Sequence, residues 1–316
     1  MKKMLNEIMT PTLINWTLNT INPHEDSFMP PYDIQEAIER LEVLPNLSGV
    51  GVSILKLAND PSADADRLAE IIELDVVLTA QIIRLARSPV YGFSGAHLSV
   101  RESIGEVLGF DFACNLALGL SAFLPLKGPK EGAIGTRLYW IQAIASMQLM
   151  QLLNKQLATS KKFQDTHLIQ SGLLRNIGLP ILSDQFPIEF GHLNDLIIAN
   201  PNVSIIELER FALGVDHNIL GGRLMDSWNM PKPIIDVVYN HHNPHYRGEN
   251  YKLNLLTYLS DCLLGKLGIG DLAQKQSYSA QLLDDLGLSV EAIEESIDRL
   301  YDNLENIILT AEMITG

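Results

Sequence analysis

The sequence predicts an all-α protein built of two helical lobes, with a further helix at its C-terminal end. Three observations carry this reading. From Tyr32 onward apolar residues recur at helical spacing; the apolar/polar alternation that marks strands never appears; and caps and stops punctuate the chain at helix-length intervals. At 316 residues and 47% hydrophobic composition the chain suits two domains of ordinary size, each able to bury a core.

Taken in order, residues 1–30 read as an arm or one short helix, because Pro11, Pro23, Pro30 and Pro31 break any longer element. Residues 31–125 form the first lobe. Ile34, Ala37, Ile38 and Leu41 keep helical spacing, as do Val50, Ile54, Leu55 and Leu57 up to the stop at Asn59, Asp60 and Pro61. Two more helices carry Leu68, Ile71 and Ile72, then Leu78, Ile82 and Leu85, separated near Asp75, and a turn is expected from Ser88 to Gly92. Ser99 and Glu102 have the spacing of a capping box, opening a helix that Gly109 closes, and an apolar helix runs from Phe112 to Phe123. Pro125 to Gly132 is the linker.

Residues 133–268 form the second lobe. A long helix runs from Arg137 to about Leu157, and another, capped by Asp165 or Thr166, is stopped by Gly178 and Pro180. Ser204 and Glu207 repeat the capping-box spacing, His217 to Trp228 is helical up to Pro231, Pro233 to His242 makes the next helix, and Leu253 to Leu267 contains Asp261. Residues 280–316 form a C-terminal extension. There Ile293, Ile297, Leu300, Leu304 and Ile307 draw one apolar stripe that either packs back on the protein or pairs with a partner helix.

Charge and composition exclude several functions. With 23 basic residues against 38 acidic ones the formal charge is -15, and no basic patch stands out, so no nucleic-acid partner is expected. The charge-free window from Phe112 to Leu126 is shorter than the roughly 20 residues of a membrane span, so no membrane partner is expected either. The two cysteines, Cys114 and Cys262, lie in apolar helices without C-x-x-C spacing, and no apolar leader follows Lys3, which together suit a cytoplasmic protein. Neither a nucleophile elbow nor a phosphate-cradling glycine loop is present.

Attention then falls on Gly172 to Gly178, where Arg175 and Asn176 occupy the last turn of an otherwise apolar helix. Side chains of that kind are buried only when partnered, and Glu209 or Asp261 are the expected partners of Arg175. His217 and the adjacent His241 and His242 are the other polar residues with chemical reach.

A series of short blocks resembles the HDOD family, the HD-related output domains of bacterial signalling. The blocks are Leu44, Pro45 and Leu47; Asn59 to Pro61; Ala69 to Asp75; Leu78 to Ala80; Ser88 to Gly92; Leu108 to Phe110; Trp140; Gly172 to Leu174; Gly214 to His217; Trp228 to Pro231; and His241 to Pro244. Each is weak alone; their order and spacing, over about residues 40 to 265, carry the resemblance. It implies kinship with the HD metal-dependent phosphohydrolases, which use an upstream His, a His-Asp pair and a downstream Asp to hold a divalent ion. Set against that pattern, Gln142 stands at the upstream His, Arg175 and Asn176 at the His-Asp pair, and Asp261 at the last Asp. The second lobe is therefore expected to be a degenerate HD-like lobe with no catalytic residues, no metal and no cofactor.

The function expected from the resemblance is a non-catalytic cytoplasmic output or adaptor module in a bacterium, working through a protein signalling partner or a small ligand. Two alternatives stay open. Arg175 suits a small anionic ligand, phosphate or nucleotide-like, in a relic cleft formed with Gln142, Asn176, His217, His241, His242 and Asp261. Alternatively, the three histidines and Asp261 form a rearranged site of a metal-dependent phosphohydrolase. The plain reading of the histidines is that they hydrogen-bond carbonyls at helix ends.

Overall fold

The computed structural model describes residues 31–39, 45–88, 98–270 and 278–315, and these residues are helical with no strand among them. Up to residue 123 the elements are α1 (Pro31–Glu39), α2 (Gly49–Ala58), α3 (Ala65–Ile72), α4 (Val76–Ala86), α5 (Val100–Glu102), a π-helical turn (Ser103–Leu108) and α6 (Phe110–Phe123). From residue 136 follow α7 (Thr136–Gln156), a short 3-10 turn, α8 (Asp165–Leu174), α9 (Gly178–Gln185), α10 (Pro187–Ala199), α11 (Ile205–Leu213), α12 (His217–Ser227), α13 (Lys232–Asn240) and α14 (Tyr251–Lys266). After it come α15 (Ala280–Leu286), α16 (Val290–Asp302) and α17 (Leu304–Thr315). The expected arm and the turn from Pro89 to Gly92 lie outside the described residues.

Side-chain oxygens at the helix starts fix these boundaries. Ser48, Asp64, Asp75, Ser279 and Ser289 each accept a backbone N–H of the first turn, and Ser99 with Glu102 and Ser204 with Glu207 close both capping boxes. Asp216 accepts from Ile219 N at 3.1 Å to open α12.

α7 is the centre of the molecule. Apolar on most of its surface, it packs against α8, α14, α16 and α17, and one continuous hydrophobic core runs from Ile34 to Ile314. α8 approaches it so closely that a β-carbon at Gly172 would lie 2.5 Å from the Met147 Cα, which is why this contact takes a glycine. α1 lies against α11, and α17 touches α4.

Four expectations are corrected. Gly178 and Pro180 start α9 instead of stopping α8, since proline is tolerated in a first turn, where its missing N–H has no helical partner. Gly178 is there for space, because a β-carbon would meet the His217 carbonyl. Neither Asp165 nor Thr166 caps α8: the N-cap is Gln164, without a side-chain bond, and Asp165 begins the helix. The C-terminal stripe is two helices broken at Asn303, whose amide donates to Gln148 Oε1 on α7 at 2.8 Å, and both helices pack back on the protein. Helices α9 and α10 were not expected, because their apolar residues face several neighbours and leave no single stripe.

Candidate functional site

The residues singled out in the second lobe meet around the end of α8. Arg175 is 2% exposed, and each nitrogen of its guanidinium has an acceptor: Nε and Nη2 reach Asp261 Oδ1 on α14 at 3.0 and 2.9 Å, and Nη1 donates to the Gly172 carbonyl at 2.7 Å. The arginine thus caps the C-terminus of its own helix and bridges it to α14. Of the two partners expected for it, Asp261 is the one found.

Glu209, on α11, serves His217 instead. Its carboxylate accepts the His217 backbone N–H at 3.0 Å and contacts Nδ1 at 2.8 Å, with both side chains buried. Since a carboxylate can only accept, Nδ1 carries hydrogen. The Gly214 to His217 block is thereby explained as a stop and restart: Gly214 ends α11 in the left-handed region at φ 73°, Asp216 caps α12, and Glu209 holds its first residue.

His241 is wholly buried at the end of α13. Nδ1 faces the Val237 and Val238 carbonyls at 3.3 and 3.2 Å, and Nε2 lies 2.9 Å from the Asn176 amide. Burial, then the neighbouring His242, His217 and Arg175, hold its pKa well below 6.5, so the ring is neutral. With Nδ1–H given to carbonyls, Nε2 can only accept. The Asn176 amide stands with its oxygen toward Nε2 and its NH2 donating to Gln142 Oε1 at 3.3 Å; pairing with this tautomer turns the amide over, so that its NH2 meets His241 and Gln142 donates to the Asn176 oxygen. The carbonyl-bonding role expected of helix-end histidines holds for His241.

Gln142, Arg175, Asn176, His217, His242 and Asp261 form the polar end of a cavity of about 280 Å3. Its walls are aliphatic, from Ile134, Leu138, Leu179, Ile197, Ile205 and Leu264, and Gly270, at φ 110°, carries the chain past Gln142. These walls were missed in the sequence. They come from five separate segments, and no local spacing marks residues that converge only in three dimensions.

A divalent ion does not fit between Gln142, Arg175, Asn176 and Asp261. The one anionic ligand of the set is already paired with a buried guanidinium, and the other two side chains are neutral amides tied to each other and to His241. The ring nitrogens of His217, His241 and His242 approach within 4.8 Å of one another, a donor set of the kind transition metals take, but His241 would have to give up Asn176 to join it.

Comparison with known proteins places the fold. A candidate signal transduction protein from Marinobacter aquaeolei has 28% identity and a TM-score of 0.82, covering 96% of this chain and 68% of that one. The fold is shared with an HDOD domain protein of unknown function from Geobacter sulfurreducens, at 18% identity and TM-score 0.69, and with a candidate phosphohydrolase from Shewanella amazonensis, at 16% and 0.65. Each covers 89% of this chain and 97% of its own. An uncharacterized protein of Treponema pallidum is 24% identical over 214 residues, which is 68% of this chain but 40% of that relative's length. The HDOD domain model matches residues 44–244, and the chain belongs to the HDOD family.

Proposed function

We propose that this chain is a non-catalytic signal-transduction module of the bacterial cytoplasm, which senses a small ligand in the α7/α8/α14 cavity and passes its state to a protein partner. The observation that carries this reading is the buried Arg175–Asp261 pair: by the HD resemblance Arg175 stands at a metal-ligand position, and a permanent positive charge there disfavours a dication. Without the ion there is no Lewis acid and no activated water for phosphate chemistry. Kinship with the Marinobacter aquaeolei protein supports the signalling half. That no helix among the described residues is long and apolar enough to cross a membrane fits the compartment.

The test combines two measurements on the full chain. Protein purified without chelator should contain no near-stoichiometric Fe, Mn, Zn or Mg and should hydrolyse no nucleotide or cyclic dinucleotide above background when Mn2+ is added. A reproducible one-to-one metal with hydrolysis would overturn the proposal in favour of a phosphohydrolase built on the histidine trio. Affinity capture from the native cell should return one reproducible protein partner.

A further inference from the structure

We infer that the cavity beneath α10 binds a small amphiphile: a short aliphatic chain carrying an uncharged, amide-type head group. This deepens the proposed function and rests on its ligand-sensing half.

The walls set the body of the ligand. Ile134, Leu138, Leu179, Ile197, Ile205 and Leu264 are all aliphatic, and none of the lining side chains among the described residues is a Phe, Tyr or Trp. The rings that line the cavity, His217 and His242, stand at its polar end, and the aliphatic walls suit a hydrocarbon chain. At about 280 Å3, the cavity is at the small end of ligand pockets.

The polar end sets the head. The cation that would recognise a phosphate or carboxylate is Arg175, and its Nε and both terminal nitrogens are already committed to Asp261 and Gly172. Glu209 adds a further carboxylate behind His217. An anionic head would therefore meet a guanidinium whose charge Asp261 already offsets, and would be desolvated near two carboxylates. The half-buried amides of Gln142 and Asn176 offer what an uncharged amide needs, a donor and an acceptor side by side, joined to each other by a 3.3 Å bond that a ligand can replace.

The ligand also has a route in. Ile198 is 66% exposed at the edge of the cavity, beside Pro201 in the loop between α10 and α11. An aliphatic side chain standing in water at a cavity edge is a contact that an entering chain would cover.

The experiment titrates butanamide, hexanamide and octanamide into the full chain by calorimetry, with hexanoate and hexyl phosphate as anionic controls. Saturable binding is expected, tightening about fourfold per methylene until the cavity is full, and the anions should bind roughly tenfold more weakly or not at all. Leu138→Trp, at a half-buried wall position, should abolish binding with the helical circular dichroism retained. Should that variant fail to fold, Gln142→Leu serves: hexanamide should weaken by roughly tenfold while the increment per methylene persists. No saturable amide binding, tighter binding of hexyl phosphate than of hexanamide, or indifference to both variants would each overturn the inference. The hydrolysis, metal and capture measurements use no amphiphile, so a failure here leaves the non-catalytic reading standing, and a failure there is seen separately.

Discussion

Replacing Arg175 with Ala tests the reading of the relic centre most directly. The side chain is 2% exposed, donates to Asp261 through two nitrogens and caps the Gly172 carbonyl through a third. Its loss takes both guanidinium bonds from a carboxylate that is only 14% exposed and leaves a helix-end carbonyl short of its donor. Breaking a buried pair by removing one member costs about 3 to 5 kcal/mol, and the partial exposure of Asp261 puts this case near about 3 kcal/mol, because water can enter to solvate the carboxylate. With an unfolding entropy of about 2.1 cal/mol/K per residue, this chain should unfold with about 0.66 kcal/mol/K, so the melting midpoint should fall by about 5 °C. Urea unfolding of wild type and variant gives the free energy itself. Arg175→Met combined with Asp261→Leu removes both charges and should recover most of the loss, since apolar pairs replace buried ion pairs at little cost. A single variant within about 0.5 kcal/mol of wild type, the range of ordinary surface changes, would refute the argument and return Arg175 to the role of a ligand-binding cation.

Three further outcomes follow from the same structure. Gly172→Ala should cost about 2 kcal/mol in urea unfolding, because overpacking at the Met147 backbone outweighs the better helix propensity of alanine; an unchanged midpoint would mean that α7 and α8 do not touch there. Since the folded pKa of His241 lies below 6.5, the unfolded chain binds a proton that the folded chain refuses, and stability should fall as pH drops below about 6.5 by up to about 1.4 kcal/mol per unit. His241→Gln should flatten that acid limb by up to one proton, with the smaller contribution of the same sign from half-buried His167 remaining, and identical limbs would contradict the assignment. Burial pushes the Cys114 and Cys262 thiols up to about 12, so both should resist a thiol reagent in the folded protein and react on unfolding; rapid labelling without denaturant would show that they are accessible.

The sequence by itself determined the fold class, both capping boxes and the residues of the polar centre. Those are local properties: helical spacing follows from 3.6 residues per turn, and a cap at Ser48, Asp75 or Ser204 is a bond between neighbours three or fewer residues apart. What the tertiary structure decided is everything that depends on approach. Gly178 looks like a stop until the His217 carbonyl is seen against it; Asp261 and Glu209 were equal candidates for Arg175 until α14 and α11 took their places; and the cavity is assembled from separate segments. A carboxylate 86 residues away becomes a partner only when burial removes water as its competitor, and that requires the whole core around α7 to be in place.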